Sequence, residues 1–329
     1  MNTHINTVPE LSEREASWQA FIARFIRPFW QSYAHEFVVQ ADPKVDLHCL
    51  EMHHPSPKMN LIILPGRVES YLKYQEVCFD FFHQGCNIFS IDHRGQGQSS
   101  RLLKDPEKGH IDSFDTYAAD LELALDQCGF LETNLPTHIL AHSMGGAIAL
   151  NWLYLYRHNI DKLVLSAPML GINAGLLPQR SALAVARTMH NLSNKICPES
   201  PYFPGQAGYN KTLFELNPLT HSRARYEFSQ QILQDHKLGG VTAGWLYEAL
   251  KIIKLLPTIS AELTLDILLL QAEKDLIVSL SAQDRWFDKV SQKNQGVSKR
   301  VIADAKHEIL MEKDSIRAPV IEEITHFFK

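Results

Sequence analysis

Ser143 sits at the break between an apolar run, 137–141, and a helix-forming run, within the sequence THILAHSMGGAIAL. A strand, a tight turn carrying a serine and then a helix is the local pattern of a nucleophile elbow. Gly145 and Gly146 supply the small residues that let the helix pack close behind the turn. On the near side the usual glycine is replaced by Ala141, so the motif reads A-x-S-x-G. A serine at that position also suits a plain helix N-cap. The catalytic reading therefore needs partners. A serine hydroxyl is a poor nucleophile until a neutral imidazole takes its proton, and the imidazole needs a carboxylate to fix its tautomer.

In an open parallel sheet functional groups gather at the carboxyl ends of strands. That rule selects Asp275, in the loop leaving the apolar run 265–270, and His307, in the loop leaving 299–303. Glu273 and Asp304 stand close enough to compete for the acid role, and the chain holds sixteen histidines. The order Ser143, Asp275, His307 is nonetheless the chain order of an α/β-hydrolase triad. An oxyanion hole needs two backbone N–H donors. Met144, after the serine, is one. Arg67 is the other, in the loop Pro65-Gly66-Arg67-Val68, where Gly66 allows the backbone to approach substrate. His93, Arg94 and His142 are read as hydrogen-bonding the floor of the site together rather than as chemical groups.

The elements that must position these residues follow from the periodicity. Two short strands, 36–40 and 45–52, form a hairpin. Buried strands at 60–64, 87–91, 137–141 and 162–166 alternate with helices at about 71–84, 114–128 and after Ser143. This is the rhythm of a mostly parallel α/β sheet flanked by helices, entered through an antiparallel hairpin. The rhythm stops between 170 and 260 and resumes with a strand at 265–270, a helix near 281–290, a strand at 299–303 and a closing helix at 316–328. The chain thus divides into a core, 1–169 and 261–329, and an inserted helical stretch, 170–260. Residues 17–30 carry an apolar stripe, Trp18, Phe21, Ile22, Phe25, Ile26 and Phe29, with Pro28 expected to end or kink the helix. Such a stripe either packs on its own domain or lies in a lipid interface.

The chain has 329 residues, 45% hydrophobic and 21% charged, the composition of an ordinary globular protein. A net charge of −5 gives no reason to expect nucleic-acid binding. Five scattered cysteines without C-x-x-C spacing suit a reducing compartment, and no metal-ligand cluster is visible. The first residues lack the basic and apolar regions of a secretory signal, and no apolar run is long enough to span a bilayer. The expectation is a cytoplasmic protein.

Five segments, LPGRVESYLKYQEV, SIDHRGQGQSSR, AHSMGGAIAL, QAEKDLIV and AKHEIL, together resemble the monoacylglycerol lipase and lysophospholipase branch of the α/β-hydrolases, and within it the bacterial membrane-associated lysophospholipases. The resemblance implies the α/β-hydrolase fold, the triad Ser143, Asp275 and His307, and no cofactor. It implies hydrolysis of the single fatty ester of a lysophospholipid or other monoacyl lipid, with acyl transfer to another lipid open to the same chemistry. It also implies peripheral contact with the cytoplasmic face of the inner membrane. Where monoacylglycerol lipases usually begin the oxyanion loop with His-Gly, this chain has Pro65-Gly66, which favours the lysophospholipid. The inserted stretch then becomes a cap. Leu176, Leu177, Ala182, Leu183, Val185, Trp245, Leu246 and Leu250 either line an acyl tunnel or form the cap's own core. Arg67, Arg180 and Arg187 are candidates for a lipid phosphate. A monoacylglycerol lipase or general esterase on the same triad, a peptidase and a non-catalytic lipid-binding scaffold are the competing readings.

Overall fold

A computed structural model of the protein describes residues 8–173, 179–197 and 199–329. Chain order runs α1 (Trp18–Phe21), a π-helical turn (Ile22–Ile26), α2 (Arg27–Tyr33), β1 (His35–Asp42), β2 (Val45–Met52), β3 (Met59–Leu64), a 3-10 turn (Tyr71–Tyr74) opening α3 (Gln75–Phe82), and β4 (Cys86–Ile91). It continues with α4 (Asp115–Cys128), β5 (Thr137–His142), α5 (Met144–Tyr156), β6 (Lys162–Ser166), α6 (Gln179–Ile196), α7 (Arg223–Leu233) and α8 (Ala243–Ile259). The last elements are β7 (Asp266–Ala272), α9 (Leu280–Ser291), β8 (Val297–Ile302) and α10 (Asp314–Phe328).

The strands form one sheet in the order β1-β2-β4-β3-β5-β6-β7-β8. β2 pairs antiparallel with both β1 and β4, and every later pairing is parallel. A parallel strand covered on both faces must be apolar on both, and successive side chains alternate between faces. Thus Ile62, Leu64, Ile139, Leu163 and Leu165 enter one core with α4, α5 and α8, while Leu61, Ile63, Leu140, Val164 and Leu268 enter the other with α3 and α10. The expected α/β layering is observed. β8 begins two residues ahead of the expected strand because it is an edge: Ser298, Lys299 and Arg300 belong to it yet are not buried, so no apolar run marks them.

The N-terminal stripe packs on its own domain. Phe21 and Ile26 are fully buried, Trp18, Ile22 and Phe29 nearly so, and Arg24 and Arg27 face outward. Phe21 and Phe29 meet Phe79 of α3 edge to face, with ring centroids 5.8 and 5.2 Å apart. Pro28 does not end the helix, which runs on to Tyr33. A wide π turn precedes it, and proline stands in the first turn of α2.

Candidate active site

β5 ends at His142 and α5 begins at Met144, which leaves Ser143 alone in the turn with φ 51° and ψ −116°. An L-residue holds such angles only where its surroundings over-determine them. Here the Ser143 N–H donates to the Ser166 carbonyl (3.0 Å), and the Ser143 carbonyl accepts from the N–H groups of Gly146 (3.0 Å) and Met169 (2.9 Å). A Cβ on Gly145 would collide with the carbonyl oxygens of Leu64 and Pro65, and one on Gly146 would lie 2.9 Å from Pro168 Cβ. Gly145 thus lets the end of β3 lie against the turn, and Gly146 lets Pro168, just after β6, do the same. Ala141 is fully buried inside β5 beside Leu64 and Leu165, so its methyl is accommodated in the core. The Ser143 side chain makes no capping bond to α5.

Instead Ser143 Oγ lies 3.0 Å from His307 Nε2, and His307 Nδ1 lies 2.7 Å from Asp275 Oδ2. The other carboxylate oxygen, Oδ1, accepts from the N–H groups of Ile277 (2.8 Å) and Val278 (3.0 Å). Burial works against the Asp275 charge, but His307 and these two N–H groups outweigh it and hold the carboxyl below its ordinary 3.8. An ionised acid keeps the imidazole proton on Nδ1 and leaves Nε2 free to accept one from the serine. The competing carboxylates are engaged elsewhere. Glu273 accepts the Asp304 N–H (2.9 Å), and Asp304 pairs with Lys274.

The loop after β3 faces this group. Among the described residues neither the Arg67 N–H nor the Met144 N–H has a protein acceptor, so both are free to meet a substrate oxygen. The loop is tied from behind: Gly66 N–H donates to Glu69 Oε2 (2.5 Å), Tyr74 Oη donates to the same oxygen (2.7 Å), and Gln96 Nε2 donates to the Gly66 carbonyl (2.7 Å). Lys73 Nζ bridges Glu69 and Glu308, each at 2.6 Å. Burial opposes the Glu69 charge, yet Lys73 and then His142 hold its carboxyl below the ordinary range. Burial drives the His142 imidazole down to about 4, which leaves it neutral at neutral pH. Its Nδ1 faces the Ser166 carbonyl at 3.1 Å, while His93 Nε2 faces the Pro65 carbonyl at 3.2 Å. Arg94 pairs with Asp120 and Asp42. The Glu69, Lys73 and Glu308 group was not anticipated. Its one sequence signal is the i, i+4 spacing of Glu69 and Lys73.

Ser143 opens into a cavity of about 460 Å³ lined by Met144, Met169, Ile172, Phe203, Val241, Trp245, Leu246 and Val278, among others, with Arg67 the one charged residue in the lining among the described residues. Trp245 and Leu246 are thus among the residues that line the space in front of the serine. Leu176 and Leu177 lie outside the described residues, as do the side chains of Ala182 and Arg180. Three other residues lie away from this cavity. Val185 is 41% exposed on α6, and Arg187 is exposed on the same helix, away from the cavity. Leu250 is buried against Leu170, Leu183 and Ile253 around a separate space of about 290 Å³. No group of His, Cys, Asp and Glu among the described residues is arranged to hold a metal ion.

Strand order, elbow and the hydrogen-bonded serine, histidine and aspartate define an α/β hydrolase. Residues 55–314 match the Hydrolase_4 family, described as serine aminopeptidase, S33, and the chain belongs to that family. It is 33% identical over 320 residues to a probable lysophospholipase L2 of Haemophilus influenzae, covering 95% of this chain and 98% of the relative. It is 35% identical over 327 residues to lysophospholipase L2 of Escherichia coli, covering 96% and 93%. Among solved structures the chain is similar to a thermostable carboxyl esterase from Bacillus coagulans, with a TM-score of 0.69 at 16% identity, covering 90% of this chain and 97% of that one.

Proposed function

We propose that this protein is a lysophospholipase that removes the fatty acyl ester of a lysophospholipid through an acyl-enzyme on Ser143. The observation that carries the reading is the Ser143–His307–Asp275 chain opening into a largely apolar cavity in which Arg67 is the one charge among the described residues. The near full-length similarity to two lysophospholipases L2 supports it.

Ser143 Oγ attacks the ester carbonyl carbon while His307 Nε2 takes its proton, and Asp275 stabilises the imidazolium. The N–H groups of Arg67 and Met144 bind the oxyanion. Collapse of the tetrahedral adduct expels the glycerol oxygen, which takes the proton from His307 and leaves the acyl group on Ser143. Water, activated by the same imidazole, then releases the fatty acid. The stretch 170–260 acts as a cap, and Trp245 and Leu246 face the acyl chain. A positive cavity suits a phosphate and repels the ammonium of a peptide N-terminus.

No helix among the described residues is long and apolar enough to cross a membrane. Peripheral contact with the inner membrane's cytoplasmic face would fall at the cavity rim, where Leu276 and Ile277 line the cavity and stand 71% and 37% exposed. The test is acyl release from lysophosphatidylethanolamine and from monoacylglycerol of the same chain, with Ser143→Ala as control. Faster Ser143-dependent release from the lysophospholipid is expected. Equal or faster release from monoacylglycerol would transfer the reading to a lipase or general esterase.

A further inference from the structure

A second cavity, about 350 Å³, lies beside the one that holds Ser143. Its volume falls within the range of ligand sites, roughly 300–1,000 Å³. Arg67 and Gln206 line both cavities. The character of the two differs. The first is lined mainly by apolar side chains, whereas the second sets Asn210, Thr212, Asn217, Gln230 and the backbone of glycine-rich turns beside Val68, Leu219, Tyr226 and Leu238. Arg67 is the one charged residue in that lining too among the described residues.

The guanidinium stands at the boundary in a fixed pose. Nη1 donates to the Gly239 carbonyl (2.9 Å), and the group lies 5.6 Å from the centre of the Trp245 ring. Gly239 and Gly240 are locked in turn, their N–H groups donating to the carbonyls of Glu107 and Ala207 at 2.7 Å each. No carboxylate among the described residues pairs with Arg67. Glu107, behind the 205–209 turn, accepts the Tyr209 N–H (2.8 Å). Burial lowers the guanidinium only to about 10, so it stays charged at neutral pH. A half-buried cation held by one neutral carbonyl, with further N–H donors unused, is a ready partner for an anionic oxygen.

We infer that the second cavity is the head-group site, in which Arg67 binds the phosphate diester of the lysophospholipid while the acyl chain fills the first cavity. The assignment rests on the reaction proposed above and adds to it the residue and the space that separate a lysophospholipid from a monoacylglycerol. The same backbone unit would place its N–H on the oxyanion and its side chain on the phosphate, which links recognition of the head group to the geometry of the reacting ester.

The test compares kcat/KM for lysophosphatidylethanolamine and monoacylglycerol of one acyl chain, measured on the same preparation of wild type, Arg67→Met, Arg67→Lys and Ala207→Trp. The ratio of the two values cancels any general loss of folding or of the oxyanion hole. Arg67→Met is expected to lower the ratio about ten- to a hundred-fold, the range for loss of a charge-assisted hydrogen bond. Arg67→Lys should recover part of it. Ala207→Trp, which adds bulk to the lining of the second cavity and leaves the guanidinium in place as a residue, should lower it as well. A ratio unchanged in Arg67→Met and Ala207→Trp, with wild type still active on the lysophospholipid, overturns the site and leaves the reaction standing. No Ser143-dependent release from the lysophospholipid overturns both. As a second arm, glycerophosphoethanolamine should inhibit hydrolysis of a p-nitrophenyl ester by wild type more strongly than by Arg67→Met. Inorganic phosphate inhibiting wild type as well as the diester does would mark a free-phosphate site and overturn the head-group assignment.

Discussion

The two walls of the Ser143 cavity are held by opposite means. The wall made by the ends of β3, β5 and β6 is fixed by backbone and by the absence of side chains: Gly145 against the Leu64 and Pro65 carbonyls, and Ser143 bonded to Ser166 and Met169. The facing wall, contributed by the stretch between β6 and β7, is anchored by long charged side chains. Arg225 of α7 is buried and bonds Glu76 of α3 (2.7 Å) and Asp314 of α10 (2.6 Å). Arg14 and Arg317 complete the cluster on Glu76 and Asp80. Nearby, Glu308 N–H donates to the Leu219 carbonyl (2.8 Å) and Lys306 Nζ to the Asn217 carbonyl (2.9 Å), which docks the same stretch onto the loop of His307. The first wall should fail when an atom is added, and the second when a charge is removed.

The largest expected effect is on the first wall. Gly145→Val should reduce kcat/KM by at least about a hundred-fold, since a displacement of even an ångström at the reacting centre costs that much. The check is steady-state kinetics on a soluble ester beside a melting curve. Asp275→Asn should lower kcat by roughly 10⁴-fold by offering the wrong tautomer. It has a pH signature too. The folded carboxyl titrates below its unfolded value of 3.8, so the stability it contributes is present above about that pH and lost as pH falls through the folded value. The Tm difference between variant and wild type should therefore shrink as pH is lowered below about 4.

Next comes the second wall. Arg225→Met leaves Glu76 and Asp314 short of a partner in the interior and should destabilise the protein by about 3–5 kcal/mol, read by urea unfolding. A smaller effect is expected where the walls share an element. Glu69→Leu frees the Gly66 N–H and should lower kcat about ten-fold or more while changing KM little. A change confined to KM would mean the loop is set by other contacts. Arg187→Ala, on the exposed face of α6, should alter rate on either lipid by less than about two-fold, a contrast that sharpens the assignment to Arg67.

How far the sequence reveals this arrangement depends on the range of the interactions. The elbow, the strands β3 to β7 and the loops of Asp275 and His307 are legible because each is a local pattern of apolar runs, glycines and chain order. The Arg14–Glu76–Asp80–Arg225–Asp314–Arg317 cluster is not, because its members come from four distant segments and each looks like an ordinary surface charge. The cavity lining is partly hidden for the same reason. Phe203 and Val241 reach the Ser143 cavity from loops without periodicity, whereas Trp245 sits on a helix whose apolar content announces it. Pro28 misleads because the π turn that accommodates it has no distinct composition.

β6 and β7 lie side by side in the sheet although α6, α7 and α8 come between them in the chain. In polymer terms the intervening stretch is a loop whose ends the sheet has already closed. The entropy of closing such a loop rises only with the logarithm of its length, about 0.6 kcal/mol for each doubling. The hydrolase sheet is therefore nearly indifferent to how much chain it carries at that point. An exchange of this stretch for one of another size would be limited by its docking contacts, Arg225 above all, and substrate range can diverge while the reacting groups stay where they are.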